Sequence, residues 1–372
     1  MKLIHHPLLA ATPGTRQELV SLHFGQPGAG PKVTIQASLH ADEVPGMLVA
    51  QHLRRRLEAL EAAGQLRGEV VLVPAANPIG LHQWLLRDQQ GRFELASGQN
   101  FNRHYADLTD TVAAAVQGRL GADAAANVQT VRAALRAAVA ALPASGALES
   151  LRKTLYGLAI DADIVLDLHC DGEAVMHFYT TPDGWPQAEP LARCMGAQAV
   201  LLATSSGDEP FDEACSMVWT RLAERVGPAH PLPPACTAVT IELRGEGDVS
   251  HALAAQDAAA IEHFLQLRGV IAGTPAELPP LRCEATPLAG SMPIHAPQGG
   301  VLVFLREPGD RVKKGEPIVE LIDPFSGEVT VLVSPVDGLL YARERRRFAV
   351  AGMPLAKVAG REALRQGLLL SA

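Results

Sequence analysis

A chain of 372 residues with a formal net charge of −8 gives no reason to expect nucleic acid or an anionic membrane as a partner. Charged residues make up 19% of it, an ordinary globular balance, and its length exceeds the roughly 250–300 residues at which single cores stop growing, so two domains are expected. Five cysteines (Cys170, Cys194, Cys215, Cys236 and Cys283) show no CxxC pairing, which argues against a disulfide framework or a thiolate zinc cluster.

The opening "MKLIHHPLLAATPGT" has too short an apolar run for a signal peptide. No stretch approaches the ~20 apolar residues of a membrane helix, so a cytoplasmic protein acting on a small molecule or peptide is expected. "KVTIQASLH" reads as a buried strand, "PGMLVAQHLRRRLEALEAAG" as an amphipathic helix ending at Gly64, and "GEVVLVPAANP" as a second strand, which is the opening of an α/β sheet. An Ala-rich region over 109–158 is helical by propensity. "ADIVLDLHCDG", "MHFYTT", "AVLLAT" and "AVTIELRG" supply further strands. Residues 1–273 are thus expected to form one α/β domain, followed by a Pro-rich linker over 274–289 and a β-rich domain over 290–372. That last part contains a repeat: "GVLVFLREPGDRVKKGEPIVEL" aligns with "GLLYARERRRFAVAGMPLAKV", matching Gly315-Glu316-Pro317-Ile318 to Gly352-Met353-Pro354-Leu355. Two such units predict a small pseudo-symmetric β-sandwich.

Ligand sites in α/β sheets gather at the carboxyl ends of strands, and His40, His169 and Glu242 all fall at or near such ends. In "SLHADEVPG" His40 and Glu43 can close on one ion from a single turn. A distant His would complete the His₂Glu set of catalytic zinc, with a fourth position open to water. With 13 histidines, about one such HxxE spacing arises by chance, so the turn needs support. His169 at the end of "VLDLHCDG" provides it. Glu242 interrupts an apolar strand, where an unpaired carboxylate is expensive; it reads either as a general base or as a buried partner of Arg244, two residues on. In "GQNFNRHY", Arg103 offers a planar charged fork for a carboxylate and Asn102 a neutral hydrogen bond. His104 reads as an exposed loop residue, Tyr341 and Cys170 as packing, and "RERRRF" over 343–348 as a solvated hairpin.

Taken in order, "HADE", "NPIGL", "NFNR", "DLHCD" and "IELRG" resemble the zinc carboxypeptidase superfamily, in its aspartoacylase/succinylglutamate desuccinylase branch, over roughly residues 30–265. The resemblance implies a mixed sheet flanked by helices, one Zn²⁺ per chain held by His40, Glu43 and His169, and Glu242 as general base. It also implies that Asn102 and Arg103 bind a substrate carboxylate and that an upstream arginine polarises the scissile carbonyl, for which Arg92 is preferred to Arg87. Arg244 either contacts a second substrate carboxylate or pairs with Glu242 or Glu246. The expected activity is deacylation of an N-acylated amino acid or related small amine. A metallocarboxypeptidase acting on peptide C-termini is the alternative, and a non-enzymatic binding module is a third reading. The C-terminal repeat resembles the biotinyl/lipoyl-type hammerhead domain over roughly 290–360, but its central hairpin "IDPFSGEVT" has no acceptor lysine, so the resemblance implies the barrel-sandwich fold without the carrier function. The sequence leaves a homo-oligomer open.

Overall fold

The computed structural model describes residues 1–370. Its main body is a nine-stranded mixed sheet, ordered Lys2–Pro7, Glu18–Gly25, Glu69–Val73, Lys32–Ala37, Ile164–Asp171, Thr237–Gly245, Met176–Thr180, Ala199–Leu202 and Ala285–Pro287. At its centre Ile164–Asp171 runs parallel to both neighbours, Lys32–Ala37 and Thr237–Gly245. These strands are buried along almost their whole length on both faces, as in a covered parallel sheet, and the polar residues they carry are buried with them. Because the three run in the same direction, their carboxyl ends open on one rim of the sheet.

Helices Pro45–Ala62, Trp185–Met195 and His251–Leu267 cover one face. The other face is covered by Phe211–Val226 and by three helices in the Ala-rich region, Thr109–Val116, Ala124–Ala141 and Ala147–Ala159. Gly46 explains how closely the first helix approaches: a Cβ there would lie 3.1 Å from both Ala37 Cβ and Leu168 O. Among the described residues no helix is long and apolar enough to cross a membrane.

The C-terminal region is all-β. Gly300–Phe304 and Pro317–Ile322 pair in one sheet, and Gly338–Arg343 and Pro354–Ala359 pair in a second. The short strand of each repeat crosses to the other sheet: Arg311–Val312 joins Gly338–Arg343, and Phe348–Ala349 joins Gly300–Phe304. The aligned glycines Gly315 and Gly352 share φ 84°, a left-handed turn that glycine alone adopts without strain. The stretch before this region contributes Ala285–Pro287 as the edge of the large sheet.

The two parts share backbone bonds. Glu173–Ala174 pairs antiparallel with Gly338–Arg343, and Val175 N donates to Tyr341 O at 2.9 Å. The "RERRRF" run leaves 345–348 exposed between two strands, as expected of a solvated hairpin, and is also anchored by ion pairs. Arg343 and Arg347 each reach Glu173 at 2.6 Å, and Arg345 reaches Glu246 at 2.6 Å, so three of its arginines bind the main body.

Candidate active site

Ser38, which follows Lys32–Ala37, takes φ 58°, a strained conformation for a non-glycine residue. It is held there by Ser38 N donating to Leu168 O at 3.2 Å and by its hydroxyl donating to Glu43 O at 2.6 Å. The turn places His40 and Glu43 beside His169, and one ligand atom from each lies within 4.8 Å of the others. All three side chains are buried. Nδ1 of His40 and Nδ1 of His169 each stand 2.8 Å from an oxygen of Glu43.

Behind the rings, His40 Nε2 donates to Asn100 Oδ1 at 2.8 Å, and His169 Nε2 lies 3.0 Å from Asp167 Oδ2. An oxygen stands beside each Nε2, with Asn102 Nδ2 also 3.4 Å from that of His169, and Nδ1 of each ring faces Glu43; polar groups of this kind order metal-ligating histidines from behind. Asp167 is itself anchored by Gln36 Nε2 at 3.0 Å. The donor set, two imidazole nitrogens and a carboxylate, fits a single metal ion.

Charge in the cluster follows its burial. Removal from water pushes His40 down to about 4, aided by Arg92, so its ring is neutral as a ligand must be. Burial alone would raise Glu43, but the His40 and His169 rings outweigh it and hold the carboxylate well below its usual range. For His169 burial again opposes charge, and Asp167 with Glu43 reverses the sign.

Glu242 pairs in register with His169 on the adjacent strand, just before a bulge in the ladder. Such bulges often re-aim a side chain beside an active site. Burial, followed by the negative charge of Glu43, raises Glu242 to about 8, and its Oε2 has no hydrogen-bond partner. Arg92 Nη1 lies 3.3 Å from His40 Nδ1 and 3.5 Å from Glu43 Oε1. Its loop is pressed against the ligand turn through Gly91, where a Cβ would fall 2.1 Å from Asp42 N. Arg87 is exposed in the neighbouring hairpin. Asn102 and Arg103 are buried, and Asn102 Oδ1 accepts the Phe211 N–H at 2.9 Å.

His40, Glu43, Arg92, Asn102, Arg103, His169 and Glu242 line one cavity of about 690 Å³. Arg244 does not. With φ 66° it turns away to pair with Asp257, a partner on the following helix and neither of the glutamates considered from sequence. His104 is exposed. Tyr341 is buried with its hydroxyl 2.7 Å from that of Ser291, yet it also lines the cavity. Lys357, whose ammonium contacts Asp171 Oδ2 at 2.5 Å, and Leu369 enter from the same side. Sequence reasoning missed Asn100 and Asp167. Asp167 carried a signal, being an acid inside an apolar strand two residues before His169 and so on the same face.

Residues 29–138 match the family model described as the succinylglutamate desuccinylase/aspartoacylase catalytic domain. No curated protein matches the chain. Among solved structures, a succinylglutamate desuccinylase/aspartoacylase family protein from Shewanella amazonensis is 30% identical, with a TM-score of 0.84 and 96% of this chain and 98% of that one covered. A protein of the same description from Shewanella frigidimarina is 26% identical, with a TM-score of 0.83 and coverage of 96% and 97%. A third, from Rhodobacter sphaeroides, shares the fold at 18% identity, with a TM-score of 0.66 and coverage of 96% and 94%. With the fold matched from end to end and a His/Glu/His cluster built to hold a metal ion at its centre, the chain belongs to the succinylglutamate desuccinylase/aspartoacylase family.

Proposed function

We propose that the protein hydrolyses the amide bond of an N-acylated amino acid or related small amine, using one zinc ion held by His40, Glu43 and His169. The carrying observation is that cluster: three buried ligand atoms within 4.8 Å, with Asn100 and Asp167 ordering the far side of each ring. Zinc in this position supplies Lewis acidity, acidifying a water and polarising the amide carbonyl.

The chain's own residues do the rest. Glu242, with an unpartnered Oε2 and an affinity for protons raised toward neutral pH, takes the proton from the attacking water and returns it to the departing nitrogen. Arg92, beside the ligands, donates to the oxygen on which negative charge develops. Asn102 and Arg103 hold a substrate carboxylate, a role supported by their burial on the cavity wall. Arg244, already paired with Asp257, is left out of this scheme.

Tyr341, Lys357 and Leu369 of the C-terminal region line the same cavity, which supports a small enclosed substrate over a peptide C-terminus. The crossed short strands and shared glycine turns support a hammerhead-like sandwich without carrier function, and five free thiols suit the cytoplasm. Metal analysis followed by hydrolysis of N-acetyl, N-succinyl and other N-acyl amino acids, native against Glu242→Gln, tests the reading. Zinc near one per chain with turnover lost in the variant is expected; full turnover in the variant removes Glu242 from the role of base.

A further inference from the structure

Two exposed apolar surfaces lie outside the catalytic cavity, and unpaired charges of opposite sign stand on them. The first is the outer face of a four-stranded sheet in the C-terminal region, ordered Val329–Val333, Pro317–Ile322, Gly300–Phe304 and Phe348–Ala349. Its inner face packs the small core through Leu302, Val319 and Leu321. An antiparallel sheet covered on one side ordinarily alternates apolar with polar residues, but here the outward positions are apolar as well. Register sets Phe348, Val301, Ile322 and Val329 in one outward row across all four strands, with Val303, Glu320 and Val331 in the next. The four valines of these rows are 38–48% exposed and Phe348 is 57% exposed. Glu320 is the single charge in the two rows, and its carboxylate has no partner among the described residues.

The second surface is the short hairpin of Trp84–Leu85 and Asp88–Gln89. Its turn residues Leu86 and Arg87 take φ 49° and 76°, values that such turns ordinarily give to Asn and Gly and that strain a bulky side chain. The strained tip nevertheless displays a leucine that is 93% exposed, flanked by Trp84 at 61% and Leu85 at 57%. Arg87 is exposed beside it, and its guanidinium has no partner among the described residues. Trp84 and Gln89 stand opposite each other and share an uncharged face, while Asp88 lies on the other with Leu85.

We propose that the hairpin of one copy docks on the outer sheet face of a second copy, with Leu86 and Trp84 against the valine rows and Arg87 paired to Glu320. Three observations select this occupant. If both surfaces are covered, roughly 1,300 Å² is buried per contact, within the ~1,200–2,000 Å² of a stable interface. The charges match in sign and number, one guanidinium to one carboxylate, on surfaces otherwise apolar. Packing the sheet face on its own copy would instead bury two glutamates without a counter-ion, which is costly. Since hairpin and sheet are different surfaces, each copy offers both halves of the contact, and a closed homo-oligomer results when copies exchange hairpins or close a ring.

Charge reversal in the full-length chain tests this, with mass photometry and sedimentation velocity reading association at micromolar concentrations and circular dichroism confirming the fold. The native protein is expected to be oligomeric. Arg87→Glu and Glu320→Arg are each expected to weaken association tenfold or more, and the double variant, which restores the pair with its signs exchanged, to recover most of that loss. Leu86→Ser should weaken association without changing charge. A monomeric native protein overturns the proposal, as does an oligomer indifferent to both reversals. A double variant no better associated than the weaker single one overturns the pairing of hairpin with sheet. Stronger association in Glu320→Arg, with Arg87→Glu silent, would show the sheet face packing on itself and overturn it equally.

Discussion

Asp167→Asn is the sharpest test of how the metal site is ordered. Asp167 is fully buried; its Oδ1 accepts from Gln36 Nε2 at 3.0 Å, and its Oδ2 lies 3.0 Å from His169 Nε2. Asparagine keeps the shape but has one acceptor and one donor end. If its oxygen faces His169, its NH₂ opposes the Gln36 NH₂. If its NH₂ faces His169, the ring must carry its proton on Nδ1, the nitrogen needed for the metal. Either arrangement weakens the site, and loss of such supporting partners typically costs 10–100-fold in metal affinity, about 1.4–2.7 kcal/mol of binding free energy. Competition for zinc against a chromogenic chelator at fixed pH reads this directly, with circular dichroism as a check on folding. A variant that folds and binds zinc within twofold of the native protein would refute the claim that Asp167 sets the His169 tautomer.

Glu242→Gln should retain metal and lower kcat by about 10²–10⁴-fold, the usual contribution of a positioned general base, with KM little changed in steady-state assays. Gly91→Ala should cost at least ~2 kcal/mol in denaturant melts, because its Cβ would meet Asp42 N at 2.1 Å and overpacking against backbone has no soft escape; a variant as stable as the native chain would show that the Arg92 loop is not pressed on the ligand turn. The metal-free protein should melt at progressively lower temperature as pH rises from about 4.5 to about 8. Burial, then Asp212, holds Glu213 at about 8, so over that window the folded state binds a proton that the unfolded chain has released, and stability falls. Glu242, raised to about 8 by burial and Glu43, adds to the same slope, so Glu213→Gln should make it shallower in calorimetry without abolishing it, and an unchanged slope would remove Glu213 as a source.

The cluster able to hold a metal ion was legible because its residues break local rules. Two ligands share one turn, His169 closes an apolar strand, and Glu242 places a carboxylate where an ordinary strand would hold valine. Residues whose chemistry depends on distant packing were hidden. Asp212 and Glu213 look in sequence like ordinary first-turn acids, and only the folded chain reveals that they are buried. The partner of Arg244, Asp257, sits on the next helix, beyond the strand-face spacing that pointed to Glu242. Lys357 lies 186 residues from Asp171, a contact that no local pattern encodes. The Ala-rich stretch announced helix correctly, and its division into three was readable in the breakers at its joints, Gly118 and Gly121 in the first and Pro143 and Gly146 in the second.

Strand Glu173–Ala174 begins four residues after His169 and belongs by backbone hydrogen bonds to the sheet of the C-terminal region. The small domain is therefore riveted to the catalytic rim and cannot hinge away from it without tearing main-chain pairing. Truncating the gene before the repeat would strip Val175 and Tyr179 of the neighbours Tyr341 and Leu369 that keep them dry. The shortened product would present an open strand edge flanked by apolar side chains, a template for aggregation.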